Sequence, residues 1–330
     1  TPGHEAFRGM RSRGGKVADI AVLVIAADDK IQPQTLESIS IIQKEGLSMI
    51  VAINKVDKPD ADIDRIKTQL SEINLSPEDW GGNTICIPIS AKSNTNIDAL
   101  LEHILLIADI EELKANPNGT LYGTIIESRI DKGLGPVATA IIQNGTLKIG
   151  DMIMCGNAGG KVKSLQDYLG KSIEQAMPSM PVRILGLKPV PQVGELIKQV
   201  ENYKEIKKLQ KRSALQAKGL VDEDSAHARK KTPVHILKIF LKTDVLGTLE
   251  ALLDEIDKIR HSEAEIQIIR KGIGAFNESD ILEAEAHGAM LIGFKVKAVS
   301  GSEHLISGRG IPYQSFSIIY ELLDSITKAV

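Results

Sequence analysis

The sequence predicts three consecutive parts: a parallel α/β domain, a β-barrel, and a second, αβα domain. Three observations carry this. Residues 19–113 alternate continuous apolar runs with helical patterns; residues 120–200 hold short β-rich runs broken by turns; strand–helix alternation returns from Pro233. Continuous apolar runs belong to parallel strands covered on both faces, and strand–helix repetition implies right-handed crossovers. The expected boundaries are 1–116, 117–201, a charged linker or helix over 202–232, and 233–330, the last ending in the start of a connecting helix.

In the first part, residues 18–27 read as a fully buried strand, and Pro33 opens a helix that stops near Gly46. Residues 48–53 form a second strand of the same kind, 61–74 a charged helix, 84–89 a third strand and 96–113 a third helix. After Asn116-Pro117-Asn118-Gly119 the pattern changes. Turn signals at Asn144-Gly145, Gly150-Asp151 and Gly159-Gly160, with strands about ten residues apart, favour a small barrel. Residues 201–232 carry nine Lys or Arg and five Asp or Glu with few apolar positions, so they read as solvated. In the last part, 234–242, 266–269 and 290–296 read as strands, and 245–259, 278–287 and 317–329 as helices. The helix at 245–259 shows the 3.6-residue stripe, with apolar residues at 245, 246, 249, 252, 253 and 256.

Composition narrows the class. The chain has 330 residues, 42% apolar and 25% charged, an ordinary globular mix; aromatics are 3%, so the core must be aliphatic. A net charge of -3 gives no global pull toward nucleic acid. Cys86 and Cys155 lie far apart without metal-type spacing, which points to a reduced, cytoplasmic chain with two packing thiols. The longest apolar run, 20–27, falls short of the roughly 20 residues that cross a bilayer, so no membrane partner is expected.

Two strand tips carry chemistry. Asn54-Lys55-Val56-Asp57 follows the second strand and Ser90-Ala91-Lys92 the third. Ligands bind open α/β sheets at the carboxyl ends of their strands. Guanine presents an N1–H and an exocyclic amine, and one carboxylate accepts from both. Asp57 is the natural reader, Asn54 suits the acceptors on the other edge, and the Lys55 stem can lie along the base while its head stays wet. The backbone amides of 90–92 can meet the guanine carbonyl. Alone, the tetrapeptide is moderately specific, since its residues are also common in turns, and the tripeptide says almost nothing; the pair, one strand–helix unit apart, points to guanine. In Thr1-Pro2-Gly3-His4-Glu5, Gly3 can bring its N–H to a terminal phosphate and His4 can orient a water.

These three segments resemble the translational GTPases. Asp131-Lys132-Gly133-Leu134-Gly135-Pro136, Gln143-Asn144-Gly145-Thr146-Leu147, Pro181-Val182-Arg183-Ile184-Leu185-Gly186-Leu187, Gly272-Ile273-Gly274-Ala275-Phe276-Asn277-Glu278-Ser279-Asp280 and Phe316-Ser317-Ile318-Ile319-Tyr320 narrow the resemblance to the bacterial translation initiation factor 2 family. The resemblance implies a GTPase domain, a barrel and an αβα domain. It also implies GTP or GDP and Mg²⁺ as cofactors, and the ribosome and initiator tRNA as partners of a monomer. By motif, Gly3 would meet the γ-phosphate and His4 would place the water. Asn54, Lys55, Asp57, Ser90, Ala91 and Lys92 would hold the base.

The sequence departs from that family in one respect. The phosphate-binding pattern G-x-x-x-x-G-K-[ST] has no match: Gly170-Lys171-Ser172 would need a glycine where Leu165 stands. The first domain is therefore expected to be a truncated GTPase domain, inactive by itself and without its Mg²⁺ ligands, and tRNA recognition is expected to belong to a barrel beyond residue 330. Without a neighbour, the strand at 18–27 would offer an apolar edge, so residues 1–116 are expected to be the least stable part. A non-catalytic ribosome-binding fragment is the competing reading. Another elongation-type GTPase is disfavoured, since residues 233–330 read as α/β. The basic stretch 204–212 reads first as a solvated helix and second as an RNA contact.

Overall fold

Three parallel strands bring their carboxyl ends to one edge in the first unit, Thr1–Lys114. The protein is described here by a computed structural model over residues 7–131, 133–201, 235–259, 264–299 and 301–329. Strands β1 (Ile20–Ala26), β2 (Ser48–Asn54) and β3 (Ile85–Pro88) lie in the order β1-β2-β3. The register sets Ala26 opposite Asn54 and Ile53 opposite Pro88, so the loops after the strands converge.

Local chemistry places the crossovers. Helix α2 (Pro33–Glu45) has proline at its first turn, where the missing N–H is harmless, and ends at Gly46 with φ +69°. Helix α3 (Ile63–Glu72) begins at Asp62, whose side chain accepts the Arg65 N–H at 2.9 Å. Helix α4 (Ile97–Ile110) covers the opposite face of the sheet. One core joins Leu23, Ile25, Val51 and Ile53 to Ile39, Ile42, Ile66 and Leu70; the other joins Ile50, Ala52 and Ile87 to Ile107.

β1 departs from the fully buried strand that its apolar run suggested. Leu23 and Ile25 are buried, but Val24 is 57% exposed and Val22 is exposed as well. The α4-side core takes in Ile20 and stops there, and β1 has no strand on its outer side among the described residues. Helix α1 (Arg8–Gly15), rich in glycine, had no sequence signature; ion pairs from Arg8 and Arg11 to Glu37 fasten it to α2.

The second unit, Ala115–Val330, opens with ten antiparallel strands. These are β4 (Tyr122–Asp131), β5 (Gly135–Asn144), β6 (Leu147–Lys148), β7 (Met152–Cys155), β8 (Ala158–Lys161), β9 (Ser164–Gln166), β10 (Ser172–Ile173), β11 (Gln175–Ala176), β12 (Pro181–Leu185) and β13 (Leu196–Gln199). Eight of them form one sheet, in the order β10-β9-β12-β5-β4-β13-β7-β8. It curls until Gly159 and Lys188 exchange two backbone hydrogen bonds, of 3.0 and 3.1 Å. Ile125, Ile142, Ile153, Leu165 and Ile184 fill the interior. Gly186 shows why glycine stands in its motif: φ is +120°, and a Cβ there would lie 2.1 Å from the Lys161 carbonyl oxygen.

The rest of this unit alternates strand and helix. It comprises β14 (His235–Thr243), α5 (Leu246–Ile256), β15 (Ala264–Ile273), α6 (Glu278–His287), β16 (Met290–Phe294), α7 (Ser302–Gly308), β17 (Tyr313–Phe316) and α8 (Ile319–Ala329). The four strands are parallel, in the order β15-β14-β16-β17. α6 matches its sequence-predicted span because Asn277 and Asp280 form a reciprocal capping box, each side chain taking the other's backbone N–H at 2.9 Å. α7 and β17 were not anticipated. The expected linker at 202–232, with its basic stretch 204–212, lies outside the described residues. Among the described residues no helix is long and apolar enough to cross a membrane.

Candidate functional site

Parallel geometry gathers the loops after β1, β2 and β3 at one sheet edge, and side-chain hydrogen bonds tie the last two loops together. Ile53 and Ile89 are joined by a 2.8 Å backbone bond, which puts Asn54 and Ser90 at neighbouring strand tips. Asn54 Oδ1 accepts the Lys55 N–H at 2.7 Å and the Ala91 N–H at 3.1 Å. The Ser90 hydroxyl donates to Asp57 Oδ1 at 2.6 Å and accepts the Ser93 N–H at 3.1 Å. Ser90 is fully buried, whereas Lys55, Asp57, Ala91 and Lys92 face solvent.

This geometry assigns unequal work to the sequence-predicted residues. The Ser90 N–H bonds the Thr95 carbonyl at 3.1 Å, and the Ala91 N–H is held by Asn54. Two of the three amides expected to meet a base carbonyl are thus engaged within the protein, and the Lys92 N–H is left. Asn54 uses its oxygen to bridge loops, which leaves its Nδ2 for a ligand acceptor. Asp57 keeps Oδ2 free of the serine. The Ser90 hydrogen bond, foremost, holds the Asp57 carboxyl below the usual carboxylate range, so it is ionised at neutral pH.

Two residues that the sequence reading passed over complete the edge. Asp28, just past β1, accepts the Lys55 ammonium at 3.3 Å and pairs with Lys58. The signal for Asp28 is positional: the tip of β1 belongs to the same edge as the two motifs. Gly3 and His4 lie outside the described residues. Among the described residues no group of three or more His, Cys, Asp or Glu is arranged to hold a metal.

The elongation factor Tu GTP-binding-domain family matches residues 1–109, elongation factor G domain 2 matches 120–200, and translation-initiation factor 2 matches 210–327. Translation initiation factor IF-2 of Thermoanaerobacter sp. (strain X514) is 46% identical over 338 residues, spanning 100% of this chain and 49% of that protein. That of Dehalococcoides mccartyi (strain CBDB1) is 42% identical over 344 residues, spanning 100% and 56%. The chain therefore spans about half the length of the curated relatives it matches. Among solved structures, GDP-bound aIF5B from Aeropyrum pernix aligns over 100% of this chain and 62% of its own, with a TM-score of 0.54 at 23% identity, a likeness of fold. Matched along its length by translation-factor family models and by relatives of one description, the chain belongs to the bacterial translation initiation factor 2 family.

Proposed function

We propose that this chain serves a GTP-dependent translation initiation factor and supplies the guanine-reading corner of its GTPase domain. The carrying observation is the cross-tie between the two strand tips: Asn54 to Ala91 and Ser90 to Asp57. A pair of loops fixed this way presents an ionised carboxylate, an amide nitrogen and one backbone N–H to the same space. Asp57 takes the N1–H and the exocyclic amine, Asn54 Nδ2 donates to the opposite edge, and the Lys92 N–H meets the carbonyl. The stem of Lys55 lies against the ring face.

The remaining roles follow the family. Gly3 and His4 act at the γ-phosphate and its attacking water, and GTP and GDP are the nucleotides. Mg²⁺, when bound, would supply charge neutralisation at the phosphates. For the whole factor, the ribosome and initiator tRNA are the partners.

A base-swap experiment tests the reading on the full-length protein. Xanthine replaces the amine of guanine by a carbonyl, so Asp57→Asn turns an acceptor toward the base into a donor. GDP affinity should fall by about 10- to 100-fold, the size of one or two lost hydrogen bonds to a charged group, and xanthosine diphosphate should become the preferred ligand. Unchanged preference for GDP over xanthosine diphosphate in Asp57→Asn would reject the assignment.

A further inference from the structure

Asp28 stands at the end of the strand that neither base-reading motif touches, yet its carboxylate reaches both lysines of the next loop. Lys55 Nζ lies 3.3 and 3.5 Å from its two oxygens, and Lys58 pairs with Oδ2. The Asp28 side chain is 11% exposed, against 47% for Lys55. Its loop is fixed from behind. The Ala27 carbonyl accepts the Asp62 N–H at 3.0 Å and the Arg65 guanidinium at 3.1 Å, and the same guanidinium holds the Asp29 carbonyl at 3.1 Å. The carboxylate is therefore presented from a rigid turn.

Lys55 is held at both ends. Its backbone is left-handed, φ +66°, which a non-glycine residue keeps only where its surroundings over-determine it. Asn54 Oδ1 fixes the N–H, and Asp28 fixes the ammonium. A lysine with a free head samples many rotamers, and ordering it opposes binding.

We propose that Asp28 is a positioning residue for purine binding. It draws the Lys55 head toward β1, and the methylene stem is thereby laid across the strand tips as a floor beneath the base. This rests on the guanine-site reading above. Lys58 shares the carboxylate and, ahead of Lys55, keeps it ionised.

The test is a double-mutant cycle on the full-length protein, read by titration with a fluorescent GDP analogue and by thermal melting. Asp28→Asn should weaken binding about two- to fivefold, the scale of a partly exposed ion pair, with little change in Tm. In a Lys55→Met background, which keeps the stem and removes the head, Asp28→Asn should have no further effect. In a Lys58→Met background its effect should persist. Three results would overturn the proposal: the same loss in the Lys55→Met background, a loss that vanishes only with Lys58→Met, or a loss that merely follows a fall in Tm. If Asp28→Asn changes nothing while Asp57→Asn still switches base preference, the site reading stands and the role of Asp28 does not. If neither variant has an effect, the site reading itself fails.

Discussion

Asn54 and Ala91, 37 positions apart, are joined by a single 3.1 Å bond from the Ala91 N–H to Asn54 Oδ1. The same oxygen takes the Lys55 N–H, so the side chain is structural on its oxygen side and free on its nitrogen side. Asn54→Ala removes both functions. It should lower stability by about 1 kcal/mol and weaken GDP binding as well. Asn54→Asp keeps the accepting oxygen and loses only the donor. It should leave Tm nearly unchanged and weaken GDP binding, a split that calorimetry and titration would reveal together.

Ser90 has a separate task. Its hydroxyl bonds Asp57 at 2.6 Å and lowers that carboxyl's pKa, so the folded site favours the ionised form. A depressed carboxylate contributes above its unfolded pKa, near 4, and its contribution is lost as pH falls through the folded value. Ser90→Ala should move the acid limb of GDP binding to higher pH. At neutral pH, where Asp57 stays ionised, the loss should be about three- to tenfold, from lost positioning alone. A pH titration of binding by both proteins checks the direction.

The αβα region carries its own sensitive pair. Lys242 pairs with Asp280, which is 1% exposed, and also donates to the Ala275 carbonyl at 3.2 Å. Asp280 meanwhile accepts the Asn277 N–H at the start of α6. Lys242→Met leaves a buried carboxylate with Arg270, 3.6 Å away, as its one charged partner among the described residues, and should cost about 3 kcal/mol. Adding Asp280→Asn should restore part of that loss, because the buried charge goes while the cap remains. Denaturant unfolding of both variants measures the difference.

At the sheet edge, Val24 is 57% exposed on a strand with one neighbouring strand among the described residues. Val24→Lys should change stability by less than about 0.5 kcal/mol and slow aggregation, since charge on an edge strand discourages pairing with other chains. Light scattering on heating would show it. Amide exchange should also open β1 before the barrel strands.

Much of this was legible in the sequence. Pro33 and Gly46 mark the ends of α2 by local chemistry, and those ends fall where they were read; α6 also keeps its expected span. The two strand-tip motifs are short and sit next to apolar runs, so their sheet edge could be named in advance. What stayed hidden depends on tertiary context. Helix α1 forms from glycine-rich residues because Glu37 of a different helix receives its arginines. Val22 and Val24 look like core in a continuous apolar run; only the reach of α4 decides that they are exposed. α7 and β17 are short, without the periodicity that announces longer elements. Asp28 escaped because a lone acidic residue after a strand acquires meaning only when a lysine from the next loop points back at it.

The two bonds between Gly159 and Lys188 turn a ribbon of strands into a ring. A ribbon can unravel from either rim, one strand at a time; a ring has no first strand to give up. Strands β12, β5, β4, β13, β7 and β8 should therefore act as one mechanical element, lost together, while β9 and β10, which lie outside the closed circuit, can peel away first.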